Sequence, residues 1–255
     1  SPRTPALALR SVGIVGGLGA LGAAVSLWLV DAGHSNGTTR LELYGRSGRA
    51  GAVPGAATSR LLEAAAGGGA GLDCAVVARS FDGASSESTS YLERGASVGD
   101  YPVSPLETLI HAGGLLHDAL MPNQTPGTLR RVLAAKASAT KSGSRSTGST
   151  TGTRSTAGLT SEVTFSSISA LLGSPGQANY AAANAGLDAH ASTQRNSGHP
   201  ALSVQWGPWS SRVGSAEGGA LVGGEGMAAG STLIQRLERL GIRALSPERG
   251  IDALK

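Results

Sequence analysis

Two short stretches carry residues whose types and spacing suit a proton-coupled reaction at a carbonyl. Phe165-Ser166-Ser167 ends an apolar run, and Asn179-Tyr180-Ala181-Ala182-Ala183-Asn184 opens a helical one. A strand end followed by the first turn of the next helix can bring the Ser167 and Tyr180 hydroxyls to one point. Asn184, four residues after Tyr180, falls one turn along the same helical face. Reduction of a carbonyl needs hydride at carbon and a proton at oxygen. A phenol with a pKa of about 10 serves that role poorly near neutrality unless a neighbouring cation lowers it. Lys136 or Lys141, upstream in the chain, could supply the cation. Ser167 would hydrogen-bond the oxygen as negative charge develops, and Asn184 would anchor a water in a proton relay.

Hydride needs a carrier, and the N-terminal part provides a candidate cradle for one. Gly16-Gly17-Leu18-Gly19-Ala20-Leu21-Gly22 follows the β-branched run Val12 to Val15 and precedes a helical pattern. Gly17, Gly19 and Gly22 satisfy the spacing of a dinucleotide-binding turn in its required setting. Glycines allow backbone to approach a pyrophosphate, and the helix N-terminus presents N–H groups and a positive dipole end to it. The next strand ends Tyr44-Gly45-Arg46-Ser47-Gly48-Arg49, with no acid to hold a ribose hydroxyl. Arg46 can grip a 2′-phosphate bidentately, which points to NADPH.

The elements that must position these groups follow from the patterning. Val12 to Val15, Leu41 to Tyr44, Asp73 to Val77, Thr108 to Ala112, Val163 to Ser166 and Leu202 to Trp206 read as strands. Gly19 to Ala32, Thr58 to Ala66, Leu129 to Ala135 and Asn179 to Thr193 read as helices. Strands alternating with helices predict an α/β fold: a Rossmann-like, doubly wound parallel sheet with helices on both faces, in a single domain over 1–255. The polar segment 137–158 is expected to be a mobile loop within it. The glycine-rich segment 214–230 is expected to act as a lid.

Bulk properties narrow the function classes. The 255 residues carry a formal net charge of +4, but only 4% are aromatic and the basic residues are scattered. That favours an anionic cofactor over a nucleic-acid partner. One cysteine, Cys74, excludes an intrachain disulfide and a multi-cysteine metal site, so no metal is expected. No run reaches transmembrane length and no signal-peptide pattern opens the chain. A cytoplasmic protein without a membrane partner is therefore expected.

Taken together, Val15 to Gly22, His111-Ala112-Gly113-Gly114, Phe165 to Ser167, Gly173 to Asn184 and Trp206-Gly207-Pro208-Trp209 resemble the catalytic half of a ketoreductase domain from a modular polyketide or fatty acid synthase. Such domains are a branch of the short-chain dehydrogenase/reductase superfamily. The resemblance implies NADPH-dependent reduction of a β-ketoacyl thioester presented by an acyl carrier protein, among neighbouring synthase domains. Asparagine in place of the superfamily's usual lysine four residues after the tyrosine is a mark of the synthase branch. By the same resemblance Leu133-Ala134-Ala135-Lys136 is the lysine segment, so Tyr180, Ser167, Lys136 and Asn184 form the implied catalytic set. Gly16, Gly17, Leu18, Gly19, Leu21, Arg46, Ser47, His111, Ala112, Gly113, Pro208 and Trp209 form the implied cofactor set. Asp118, Pro175 and Asn179 match positions of reductases giving the D-configured β-hydroxyl, and the tryptophan of the opposite class is replaced by Leu172.

The pattern has departures. Val15 replaces a threonine, Arg79 and Ser80 stand where an adenine-contacting aspartate is usual, and Ser47 replaces a second arginine. The structural subdomain that precedes complete synthase ketoreductases is not in this sequence, and a domain fragment is the corresponding expectation. Two rival readings stay open: a non-catalytic ketoreductase-like module of a megasynthase, and a free-standing alcohol dehydrogenase.

Overall fold

The computed structural model describes residues 10–31, 40–45, 61, 75–80, 106–142, 159–209, 238–239 and 241–254. The chain divides into two compact units, Ser1–Ser80 with Trp206–Lys255 and Phe81–Gln205.

In the first unit β1 (Ser11–Val15), β2 (Arg40–Gly45) and β3 (Ala75–Ser80) lie in the order β3-β2-β1. All run parallel, with Val12 opposite Leu41 and Leu41 opposite Val76. Every residue of β1 is buried, as expected of a parallel strand covered on both faces. Between β1 and β2 comes helix α1 (Ala20–Asp31). Alternation along β2 puts Arg40, Glu42 and Tyr44 on one face. There the fully buried Glu42 carboxylate pairs with the Arg40 guanidinium and accepts from the Tyr44 hydroxyl. A charge removed from water is tolerated only with partners of this kind.

In the second unit β4 (Thr108–His111), β5 (Ser161–Ser167) and β6 (Ala201–Trp206) follow in the order β4-β5-β6. Strands β4 and β5 are parallel, with His111 opposite Thr164. A 3-10 turn at Met121–Asn123 leads to helix α2 (Pro126–Ser142). Helix α3 (Ser169–Leu172) and helix α4 (Ala178–Asn196) follow β5, and α4 packs on α2, α3 and β5. Besides Asn179, its buried residues Tyr180, Ala183, Asn184, Leu187, His190, Ala191 and Gln194 form one stripe at helical spacing. Gly198 ends the helix at φ 82°, and the His199 N–H reaches back to the Gln194 carbonyl at 2.9 Å.

The predicted strands and helices are present within a few residues wherever they are described. Cys74, 143–158 and 214–230 lie outside the described residues, as does all of 58–66 except the helical Leu61. One expectation is corrected: residues 137–142, assigned to a loop, are the last turns of α2. A nucleated helix gains one hydrogen bond for each residue added. Ala137, Ala139 and Lys141 are good helix formers, so the polar sequence extends it without an apolar face. Short α3 and a C-terminal helix α5 (Pro247–Asp252), capped by the Ser246 hydroxyl accepting from the Arg249 N–H, were not anticipated.

Leu187 is 1% exposed at the centre of the α4 stripe. Leu187→Ala should destabilise the protein by about 3 kcal/mol, read as a lower midpoint in urea unfolding with an unchanged slope.

Candidate active site

Strand β5 and helices α2 and α4 bring the second-unit candidates together. Strand β5 delivers Ser167 at its carboxyl end, and α4 presents Tyr180 in its first turn and Asn184 one turn later. The Ser167 and Asn184 side chains stand near enough to the Tyr180 phenol to favour its charged form. The Asn184 amide also donates to the Tyr180 backbone carbonyl at 2.8 Å. Its Oδ1 is buried and has no hydrogen-bond partner among the described residues.

Lys136 projects from α2 into the interior, only 3% exposed. Its Nζ donates to the Phe165 carbonyl at 2.8 Å and stands 5.9 Å from the centroid of the Tyr180 ring. Of the two candidate lysines, Lys136 is the one placed beside the phenol; Lys141 lies in the last turns of α2, where side chains are outside the description. Burial depresses the Lys136 pKa to about 8, with the Asp188 carboxylate opposing the shift.

The tyrosine departs from expectation. Burial raises the phenol pKa above its ordinary value, the Asn184 and Ser167 hydrogen bonds oppose the rise, and the Asp118 charge adds to it. The expected lowering by a nearby ammonium does not dominate. Lys136 is turned onto a carbonyl of β5, and desolvation of the ring is the larger effect.

His111, placed in the cofactor set, has no exposed surface. Burial first, then the charges of Lys136 and His190, holds its imidazole down to about 3, so it is neutral. Its side chain belongs to the interior around Lys136. Ala112 is also buried, whereas Gly113 is half-buried. His190 is tied to Glu162 at 3.0 Å on the same buried side of α4.

The stereocontrol candidates gather where the 117–124 loop meets the start of α4. Gln177 donates to the Asp118 carboxylate at 2.9 Å, and Asn179 donates to the His117 carbonyl at 2.8 Å. Pro175 lies exposed between Gly173 and Gly176, and the Gly176 carbonyl accepts from the Ala119 N–H at 2.8 Å. Gln124 ties the loop to the helix. Its Oε1 accepts from Thr128 and Asn179, and its Nε2 donates to the Ala119 and His117 carbonyls. Gln124 and Gln177 were missed in the sequence. Gln177 had a signal, standing three residues before Tyr180; an isolated glutamine in a loop has none.

In the first unit the glycine turn has the form a pyrophosphate needs. Gly16 adopts φ 81°, in the left-handed region. A Cβ on Gly22 would lie 2.2 Å from the Gly16 carbonyl oxygen, so that side chain must be absent for α1 to start there. The first turn of α1 holds no acidic residue. Its leading N–H groups are those a helix leaves without internal partners, and an anion fits them. Leu18 is buried, Gly19 is exposed and Leu21 is half-buried. Pro208 and Trp209 are half-buried, and Trp206 packs edge-on to Trp209 with centroids 5.1 Å apart. Arg46 and Ser47 lie outside the described residues. Among those residues no group of side chains could hold a metal, and no helix is long and apolar enough to cross a membrane.

The chain matches a family model described as the KR domain over residues 11–211. It is 36% identical over 241 residues to polyketide synthase GfsB of Streptomyces halstedii, covering 94% of this chain and 4% of the relative. It is 37% identical over 242 residues to the spectinabilin polyketide synthase system protein NorA' of Streptomyces orinoci, covering 94% and 6%. Among solved structures, PlmKR1, a ketoreductase from the first module of phoslactomycin biosynthesis in Streptomyces sp. HK803, superposes with a TM-score of 0.72 at 27% identity. That match covers all of this chain and 51% of that one. An A-type ketoreductase from a modular polyketide synthase gives 0.71 at 31% identity, covering all of this chain and 47% of that one. The chain thus spans about half of these solved chains and a small fraction of the synthases. The expected Rossmann-like α/β fold is the fold of these ketoreductases.

Burial of Lys136 fixes the sign of a pH effect. Between about pH 8 and the unfolded value of 10.5 the unfolded chain holds the proton that the folded chain has lost. Stability contributed at this residue therefore rises with pH across that window and is flat below it. Urea unfolding of the native chain and of Lys136→Met should converge or cross as pH rises from 8 to 10, the native chain gaining relative to the variant.

Proposed function

The chain belongs to the KR domain family, the polyketide synthase ketoreductases of the short-chain dehydrogenase/reductase superfamily, and on that premise we propose that it uses NADPH to reduce a carrier-bound β-ketoacyl thioester to the β-hydroxyacyl thioester. The observation that carries the reading is the meeting of Ser167, Asn184 and Lys136 at the Tyr180 ring. The family accounts for an oxidoreductase acting through a nicotinamide cofactor. The choice of NADPH rests on Arg46, and the carrier-bound substrate on similarity to synthases.

The residues suit their parts. NADPH, when bound, supplies hydride to the carbonyl carbon, and the glycine turn with Pro208 and Trp209 would hold it. Ser167 donates to the substrate oxygen as charge grows there, and the Tyr180 hydroxyl transfers its proton to the same oxygen. A phenol kept neutral by burial is fully protonated at working pH, which suits a proton donor. After transfer the phenolate is stabilised by the neighbouring Asn184 side chain and by the Lys136 charge, the single Ser167 proton being engaged at the substrate oxygen. Asn184 Oδ1, a buried acceptor, would hold the water that returns a proton. Asp118, Pro175 and Asn179 support a D-configured product through the ordered loop they share with the start of α4.

Tyr180→Phe should lower kcat on a soluble β-ketoacyl thioester by a factor of about a thousand while NADPH titration by fluorescence stays near native. Undiminished turnover would refute the assignment, and absence of NADPH binding by the native chain would favour a structural module. Arg46→Asp should shift the preference from NADPH towards NADH by at least about tenfold in kcat/KM, and chiral analysis of the product should give the D-alcohol.

A further inference from the structure

The described C-terminal segment makes a set of contacts that the catalytic reading does not use. Leu245 forms a parallel bridge with Trp209, and its N–H donates to the Pro208 carbonyl at 2.8 Å. The chain then turns through the Ser246 cap into α5, which meets α1. Gly250, buried on α5, lies directly against the Trp209 indole. A Cβ there would come within 2.2 Å of Cη2, 2.4 Å of Cζ2 and 2.6 Å of Cζ3. These are the outer ring atoms, and the inner side of the aromatic pair is taken by Trp206.

Gly250 is not required by backbone conformation, since it is not among the glycines with positive φ. Inside a helix glycine is a poorer choice than alanine. What remains is space. The Trp209 Nε1 is buried and has no hydrogen-bond partner among the described residues. Packing therefore sets the ring's attitude, and among the described residues Trp206 and the bare backbone of α5 lie against it.

We propose that Gly250 is a positioning residue: by leaving backbone exposed beneath the indole, it lets α5 fix where Trp209 stands and thereby tunes NADPH binding. The proposal rests on the reading that Trp209 contacts the cofactor. It gives α5 a function besides closing the fold. Displacement of a contacting group by about 1 Å can change rate by on the order of a hundredfold, and the missing Cβ spans more than that distance.

Four variants of the full chain test it: Gly250→Ala, Trp209→Phe, the two combined, and Trp209→Ala. NADPH affinity is measured by fluorescence titration, kcat and KM on a soluble β-ketoacyl thioester, and folding by thermal unfolding. Gly250→Ala should weaken NADPH about tenfold or more. Trp209→Phe withdraws the outer ring atoms, so adding Gly250→Ala to it should bring no further loss. Native affinity in Gly250→Ala, or a double variant weaker than Trp209→Phe alone, would overturn the assignment. Should Gly250→Ala fail to fold, the comparison of Trp209→Phe with the double variant still decides. Native NADPH affinity in Trp209→Ala would instead sink the cofactor reading of Trp209 itself, and the proposal with it. A weakened Trp209→Ala beside a native-like Gly250→Ala would sink only the role given to Gly250.

Discussion

An ammonium group held in the interior by one carbonyl is the constraint on which the second unit depends. Lys136 reaches Phe165 of β5, and that strand carries Ser167 two residues further on. The same strand packs under α4, which carries Tyr180 and Asn184. Moving α2 relative to β5 would therefore disturb the cation and the serine's strand together. Burial of such a charge opposes folding, as the depressed pKa of the lysine shows. In the proposed reaction that cost has a use, since the charge stands beside a phenol that would become negative.

The environment of the tyrosine gives that need its direction. Desolvation keeps the phenol protonated, and its neighbours become most favourable once the oxygen carries charge. Interactions that are stronger in the transition state than in the resting protein are the ones that accelerate a reaction. The resting arrangement suits the proposed donation, and the lysine's contact with a carbonyl leaves its charge 5.9 Å from the ring centroid. Around this centre the loop bearing Asp118 is not loose. Gln124, Gln177 and Asn179 attach it to the first turn of α4, so the proposed stereocontrol residues and the proposed proton donor share one support.

Much of this was readable in the residues. Period-two and period-3.6 patterning located the described strands and long helices, and the spacing of Ser167, Tyr180 and Asn184 singled out residues that β5 and α4 place in one unit. The extension of α2 was not readable, because Ser138, Thr140 and Ser142 add no apolar face and helix propagation does not require one. The rise in the tyrosine pKa was hidden as well. Sequence names the nearby cation, but only packing tells how much water the ring has lost. The full burial of the His111 side chain was not legible in its motif either, because only packing buries it. Gln124 and Gly250 carried no local signal, since the importance of each comes from a partner distant in sequence.

The placement of lysine and tyrosine on different helices has a mechanical consequence. When both groups sit one turn apart on a single helix, backbone hydrogen bonding sets their separation, and it is stiff. Here the interval between Lys136 and the Tyr180 ring is spanned by side-chain packing of α2 on α4 and by one contact to β5. A shift of α2 against α4 would therefore change that interval while leaving each helix's own backbone hydrogen bonds in place.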